Sequence, residues 1–167
     1  MKTAAAIAIL ATLLLGACGG GDDAGPAAVV VADSTETKAS TPGVNSTSTG
    51  MGFDFVGGPR YTLSGPANVE ICVTATWQHT MAANAGLRLR GIVPAPTNTN
   101  RSIEQAGTGA AGQPATVTFT RCDVWSQAAG ARSVPPVRLD LFSDCGGCLA
   151  LGSQYAVTVR WQVSATY

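Results

Sequence analysis

The last candidate strand of the chain, Tyr155–Ala165, alternates apolar and polar side chains along its length. A period of two predicts a β-strand with one buried face and one solvated face. Three earlier segments, Val69–Trp77, Ala115–Cys122 and Val137–Phe142, alternate in the same way. The side chains expected in the core are Tyr155, Val157, Val159, Trp161 and Val163 of the last strand, and Val69, Ile71, Val73, Ala75, Trp77, Ala115, Val117, Phe119, Val137, Leu139 and Leu141 of the earlier ones.

Residues 51–167 are predicted to form a single all-β domain, long enough for one hydrophobic core. Turn sequences such as Gly57-Gly58-Pro59 separate short strands, and the best helical segment, Ser102–Ala106, is one turn at most. We expect an antiparallel two-sheet β-sandwich, jelly-roll-like in preference to immunoglobulin-like, because of the strand count and the long connection 94–114. The candidate strands are Phe53–Val56, Tyr61–Ser64, Val69–Trp77, Leu87–Val93, Ala115–Arg121, Val137–Phe142 and Tyr155–Ala165.

The N-terminus has the three parts of a secretory signal peptide. Lys2 gives a basic start, Ala4–Leu15 is almost wholly apolar, and Leu15-Gly16-Ala17 precedes Cys18. The apolar run is shorter than the roughly 20 residues that a transmembrane helix needs. Residues 1–17 are therefore predicted to be a cleaved signal peptide.

The stretch Leu15-Gly16-Ala17-Cys18 resembles the lipobox of bacterial lipoproteins. This resemblance implies that Cys18 is diacylated, becomes the first mature residue and holds the exported protein at a membrane. Because Gly19 rather than Asp follows the cysteine, the resemblance favours the outer membrane over the inner one. Residues 51–167 themselves resemble no family that we recognise.

Residues 18–50 are predicted to be a lipidated N-terminus followed by a flexible linker. The segment is rich in Gly, Ala, Ser and Thr, contains no aromatic residue and shows no helical period. Within it, Ala27–Ala32 is strand-like and could add to a sheet edge.

Four cysteines remain after Cys18, and an even number in an exported domain favours disulfides over metal ligation. We favour the pairs Cys72–Cys122 and Cys145–Cys148, with the two crossed pairings left open. A thioredoxin-like reading of Cys145-Gly146-Gly147-Cys148 lacks the required βαβ context, and a zinc ribbon would need a second Cys-x-x-Cys knuckle.

The sequence shows no catalytic constellation, and the chain is predicted not to be an enzyme and to need no cofactor. The single histidine, His79, is expected in a solvated loop without a nucleophile beside it. Asp140 and Asp144 are the acids that could serve a calcium ion, but their spacing matches no EF-hand loop. Ten basic and ten acidic residues balance, and no basic stripe indicates nucleic-acid binding.

Binding is the activity class that the residues favour. Trp125, at a strand end, and Phe142, on a solvated face, are the candidate aromatic contacts for a carbohydrate or protein ligand. The leading hypothesis is a lipid-anchored binding or interaction module of the cell envelope. A structural envelope or filament subunit that assembles through sheet edges is the alternative, and a hydrolase comes third.

Overall fold

The described part of the chain, in a computed structural model, is residues 26–39, 50–93, 101–145, 148–149 and 155–167. Within it every regular element is a β-strand, as the alternating sequence predicts. The ten strands are β1 (Val29–Ala39), β2 (Gly50–Phe55), β3 (Arg60–Leu63), β4 (Ala67–Thr80), β5 (Ala85–Val93), β6 (Arg101–Gly109), β7 (Pro114–Gln127), β8 (Gly130–Ser133), β9 (Val137–Ser143) and β10 (Tyr155–Thr166).

Eight of these strands form two antiparallel sheets with jelly-roll connectivity. Sheet A has the order β1-β10-β4-β7, and sheet B has the order β2-β9-β5-β6. Leaving aside the small β3–β8 ribbon, the first sheet contains the first, eighth, third and sixth strands, and the second contains the second, seventh, fourth and fifth. This order is that of two interlocked Greek keys, and it distinguishes a jelly roll from an immunoglobulin sandwich. The predicted fold class is confirmed.

The core lies between the sheets and is built from the predicted apolar faces. Trp77 of β4 and Trp161 of β10 are among the most completely buried side chains, at 1% and 0% exposure. The inward faces of β7 and β9 are buried as well. Burial of this much apolar surface is the main term that stabilises the sandwich.

The two sheets approach each other closely where β5 packs against β7. Gly91 of β5 faces Phe119, and a Cβ at position 91 would overlap the Phe119 ring. Gly107 of β6 faces Val117 in the same way, with Val117 Cγ2 only 2.6 Å from where a Cβ would lie. Small residues on sheet B therefore allow large ones on sheet A to seal this side of the core.

The structure differs from the predicted linker in residues 29–39, which form β1 at the edge of sheet A. This strand pairs with β10 from Val29↔Ala165 to Ala39↔Ala156, with a bulge between Val30 and Ala32. Asp33 accepts hydrogen bonds from Arg160, and Thr37 bonds to Thr158 at 3.0 Å. The physical reason is that β10, buried on one face, would otherwise leave a row of backbone groups without partners.

Residues 102–106, the one predicted helical turn, lie instead in β6. They pair in register with β5 from Ile92↔Ser102 to Arg88↔Ala106. A single helical turn has marginal stability by itself, and the nine residue pairs between β5 and β6 favour the strand conformation instead. The rest of the 94–114 connection includes residues 94–100, which lie outside the described residues.

The predicted signal peptide 1–17 and the lipid-bearing Cys18 also lie outside the described residues. No helix in the described ranges has the length and apolar character that crossing a bilayer requires.

Candidate functional site

The outer face of sheet A is dominated by threonine. Neighbouring strands join across it through hydroxyl pairs at 3.0 Å, such as Thr74–Thr120 and Thr76–Thr118. Such cross-strand pairs are an ordinary means of stabilising a solvated sheet face. Among its described residues this face carries few charges, chiefly the Asp33–Arg160 pair and Glu70.

Both favoured disulfides are present. Cys72 and Cys122 are directly opposite each other on β4 and β7, on the outer face of sheet A, with their Cα atoms 4.0 Å apart. Cys145 and Cys148 are bridged across their short loop, with Cα atoms 5.7 Å apart. Glu70 lies near the first bridge and would make a three-ligand metal group with the two thiolates, but sulfurs bonded to each other do not offer thiolates to a metal.

The outer face of sheet B has a different character, because a nearly buried carboxylate lies at its centre. Asp140 of β9 belongs to the solvated face by its position in the strand, yet its side chain is only 8% exposed. Arg90 of β5 donates to its Oδ2 at 3.3 Å, and Arg138 of β9 reaches both oxygens at 3.0 and 3.3 Å. Asp140 thus holds two guanidinium groups in defined positions, since charge-assisted bonds of this kind are the strong ones.

The space for this carboxylate comes from glycines on β2. Gly52 is directly opposite Asp140, and a Cβ there would collide with the Asp140 carboxylate and with Arg138. Gly50 is opposite Phe142, and a Cβ there would lie 3.0 Å from the ring. The two glycines let Asp140 and Phe142 lie over β2 instead of standing upright in solvent.

Phe142 joins the same cluster through Arg90. The guanidinium carbon of Arg90 lies 5.0 Å from the centre of the Phe142 ring, within cation–π distance. We call this surface the arginine–aspartate face; it consists of Arg88, Arg90, Arg138, Asp140 and Phe142, with Asp54 and Glu104 at its margins.

The charges on the arginine–aspartate face balance, with three arginines against three acids. The side chains of Arg88, Arg90 and Arg138 are 60%, 42% and 48% exposed. Hydrogen bonding to Asp140 raises the pKa of Arg138, so its positive charge is secure at every ordinary pH. Each guanidinium has five N–H donors; Arg90 bonds to Asp140 through Nη2 and its Nε is buried, which leaves Nη1 for oxygen atoms of a ligand.

The two aromatic residues singled out from the sequence do not lie together. Phe142 is half-buried on the outer face of sheet B, as its position in the strand predicts. Trp125 lies on β7 of sheet A, opposite Val69, and packs against the core. Its indole Nε1 is buried and has no hydrogen-bond partner among the described residues. Phe142 therefore belongs to the candidate site and Trp125 does not.

His79 is a core residue, which corrects the expectation of a solvated loop. The residue is 1% exposed, because β4 continues to Thr80 and places His79 on the same face as Trp77. Its ring stacks on Tyr155 with an interplanar angle of 5°. Burial lowers the pKa of His79, while a contact with the backbone of Leu149 opposes the shift.

The candidate catalytic and calcium residues have separate surroundings. His79 is in sheet A, whereas Asp140 is in sheet B and is bonded to two arginines. The Asp144 carboxylate accepts a hydrogen bond from the backbone N–H of Gly86 at 3.0 Å. The geometry assembles neither a hydrolytic pair nor a shared calcium site from these three residues.

The arginines are the site residues that sequence reasoning missed. Arg88 and Arg90 are two residues apart and so share a face of β5, and Arg138 and Asp140 share a face of β9. That parity was visible in the sequence. The adjacency of β5 and β9 was not, because it depends on the jelly-roll connectivity.

No family model and no curated protein matches this chain. Among solved structures, the globular domain of zebrafish complement 1qA protein is similar at 18% identity, over 61% of this chain and 67% of that one, with a TM-score of 0.29. Infectious bursal disease virus, Gx strain, is similar at 12% identity, over 80% of this chain and 42% of that one, with a TM-score of 0.26. The T13 viral particle of the same virus is similar at 11% identity, over 80% of this chain and 39% of that one, with a TM-score of 0.27. Likeness at this level does not bear on ligand or activity.

Proposed function

We propose that this chain is a lipid-anchored binding module of the cell envelope that takes its ligand on the arginine–aspartate face. The ligand is a carbohydrate or a protein segment that presents acceptor oxygens beside an apolar surface. Jelly-roll sandwiches are used both for ligand binding and for structural assembly, so the fold alone leaves both classes open. The choice between them depends on the surface.

The observation that carries the proposal is the nearly buried Asp140 carboxylate on a face that is otherwise solvated. Withdrawing a carboxylate from water costs free energy unless it is fully bonded. Here the bonds go to Arg90 and Arg138, which are thereby ordered before any ligand arrives. Ordering contact side chains in advance lowers the entropic cost of binding. On the threonine face of sheet A, by contrast, the Asp33 carboxylate is 37% exposed, and Arg160 is the one arginine among the described residues that pairs with it.

The chemistry of the ligand follows from what the face offers. Arg88 is the most exposed of the three arginines, and its one ion pair within the described residues is with Glu104 at 3.8 Å, which leaves most of its donors available. Planar guanidinium groups bind carboxylates in two-point contacts, and an aromatic ring such as Phe142 packs against the apolar face of a sugar or side chain. Uronic-acid oligosaccharides and acidic peptides both combine these features.

The test uses the full mature chain, with its lipid, in detergent. Binding would be measured on arrays of uronic-acid oligosaccharides, neutral envelope polysaccharides and acidic peptides. Arg88→Gln and Phe142→Leu should each weaken binding at least tenfold without unfolding the domain. Arg160→Ala removes an exposed arginine from the opposite face and should leave affinity within twofold. Equal losses in all three variants, or no binding to any probe, would refute the proposed face.

The anchor is a separate element of the proposal. It is supported by the resemblance of Leu15–Cys18 to a lipobox, and the same resemblance favours the outer membrane. Intact mass of the membrane-extracted protein should show a lipid-modified Cys18 as the first residue. A Cys18→Ser form should lose membrane association; an unmodified Cys18 in membrane-bound protein would contradict the anchor.

The alternative, a structural subunit joined through sheet edges, is less well supported because the edges of sheet A are protected. The β1 edge carries a bulge at Val30/Ala32 and the charged Asp33 and Lys38. On the β7 edge, Asp123 is paired with Arg121 and Arg101. Bulges and charges on edge strands oppose pairing with another sheet.

A further inference from the structure

The exposed apolar side chains of the domain are concentrated at one end of the sandwich. In the described part of the chain, four of the five large exposed hydrophobics are Val29, Val30, Val124 and Tyr167, at 53%, 54%, 58% and 48% exposure. Val30 and Val124 lie in one cross-strand row, from Val30↔Ser164 through Ser164↔Glu70 to Glu70↔Val124. We call this end, with the depression described next, the apolar end.

A depression of about 520 Å³ opens at the same place. It lies where β4 begins and where β7 and β10 finish, and Tyr167 forms part of its wall. The Tyr167 hydroxyl oxygen accepts a hydrogen bond from the backbone N–H of Ser64 at 3.4 Å. The wall of the depression is formed by Pro66, Ala67 and Asn68 from the start of β4 and by Ser126, Thr166 and Tyr167 from the ends of the other two strands.

The N-terminal segment enters the domain at this end. Val29, the first residue of β1, is eleven residues after Cys18. Eleven residues span at most about 40 Å when fully extended. The longest strands, β4 and β7, have 14 residues each, or about 46 Å at 3.3 Å per residue. A lipid on Cys18 would therefore keep the start of β1, and with it the apolar end, within about 40 Å of the bilayer, which is less than the length of the sandwich.

The exposed apolar residues and the short chain length between Cys18 and Val29 occur at the same end of the domain. The geometry points to the apolar end as a membrane-contact surface that holds the domain on a phospholipid bilayer in one orientation. The inference rests on the proposed anchor at Cys18. Valine side chains partition into the headgroup boundary, and the ring and hydroxyl of Tyr167 suit an interface that is apolar on one side and wet on the other.

The contact is apolar rather than electrostatic. Arg60 and Arg132 are the exposed basic residues of the nearby β3–β8 ribbon, and Glu70 lies within the Val30–Val124 row. Asp22 and Asp23 add two acids between the lipid and the strand. Basic and acidic groups thus offset each other, and seating should depend little on anionic lipid or on salt.

The orientation can be read from paramagnetic broadening of valine methyl signals. The full lipidated chain would be placed in phosphatidylcholine nanodiscs, with and without a nitroxide-labelled headgroup. Val56 serves as the internal control, because it is 73% exposed but lies beside Gly57, which bonds to Glu36 of β1, seven residues beyond Val29. Methyls of Val30 and Val124 should broaden at least fivefold more than those of Val56.

Two sets of variants, together with a mass measurement that shows whether Cys18 carries the lipid, test the membrane contact separately from the anchor. Val30→Ser with Val124→Ser should abolish the selective broadening, measured at Val29, while Val56→Ser should not. Equal broadening at Val29, Val30, Val124 and Val56 in protein shown by mass to be lipidated overturns the inference and leaves the anchor standing. Absence of the lipid, with no membrane association, overturns both.

Discussion

Gly52 lies directly opposite Asp140 in the β2–β9 pair, and the volume that a side chain at position 52 would fill is taken by the Asp140 carboxylate. The glycine and the acid are therefore a matched pair. Position 52 has no side chain because the Asp140 side chain lies over it, where the carboxylate reaches Arg90 and Arg138.

Substituting Gly52→Ala should displace Asp140 from Arg138, because the new Cβ would lie 2.9 Å from Arg138 Nη2 and closer still to the carboxylate. We expect a loss of about 1–3 kcal/mol in the free energy of unfolding, as for other overpacked sites. Gly65→Ala is the control, since the nearest atom to its Cβ is Tyr167 Cδ1 at 3.9 Å, and it should change stability by less than about 0.5 kcal/mol. Urea titration measures both; similar losses would contradict the steric explanation.

His79 should make the domain less stable as the pH falls. Its folded pKa lies below the ordinary value of 6.5, so the unfolded chain binds more protons below pH 6.5. Stability is complete above that pH and declines below it, by at most about 1.4 kcal/mol per pH unit, until the folded pKa is reached. His79 is the single histidine of the chain, so His79→Gln should remove this slope between pH 7 and pH 5. A slope unchanged by the substitution would assign it to other groups.

The two disulfides should contribute unequally. In the chain-entropy description, closing the loop from Cys72 to Cys122 is worth about 4 kcal/mol, and closing the loop from Cys145 to Cys148 about 2 kcal/mol. Cys72→Thr with Cys122→Thr, which continues the threonine pairs of that face, should lower stability more than Cys145→Ala with Cys148→Ala. Denaturant unfolding of the two double variants checks the order. A reversed order would show that burial of Cys148, at 3% exposure, matters more than loop closure.

Strand β1 should exchange its amide hydrogens faster than β4. None of its side chains is in the fully buried core, although Val31 and Ala32 pack against it. Arg160 lowers the pKa of Asp33 by hydrogen bonding, so this contact weakens as the pH falls through the acid range. Asp33→Asn should increase exchange in β1 selectively, with β4 as the internal reference. Uniform exchange across sheet A would contradict a separable edge strand.

The sequence was sufficient for features that depend on alternation and insufficient for features that depend on distant pairing. Parity identified the buried faces and the outward position of Cys72 and Cys122, because strand geometry forces every second side chain to one side. The same alternation applies to His79, which lies two residues beyond Trp77, but the strand predicted from the sequence ends at Trp77 whereas β4 continues to Thr80. The strand-like stretch Ala27–Ala32 was predicted as a possible addition to a sheet edge, and its residues from Val29 onward do begin edge strand β1. The remainder of β1, residues 33–39, has weak local signals and is a strand because β10 supplies its hydrogen-bond partners.

The pairing of β1 with β10 also sets an order of events during folding. Asp33 and Arg160 are 127 residues apart in the sequence. During synthesis β1 therefore emerges first but cannot pair until β10, the last strand, has emerged. A chain that emerges N-terminus first can assemble sheet B and the β4–β7 pair before β1 has anything to pair with. Because such long-range contacts form slowly, the pairing of β1 with β10 is expected to be the last step in assembling the sandwich, and folding is complete only when the whole chain has emerged.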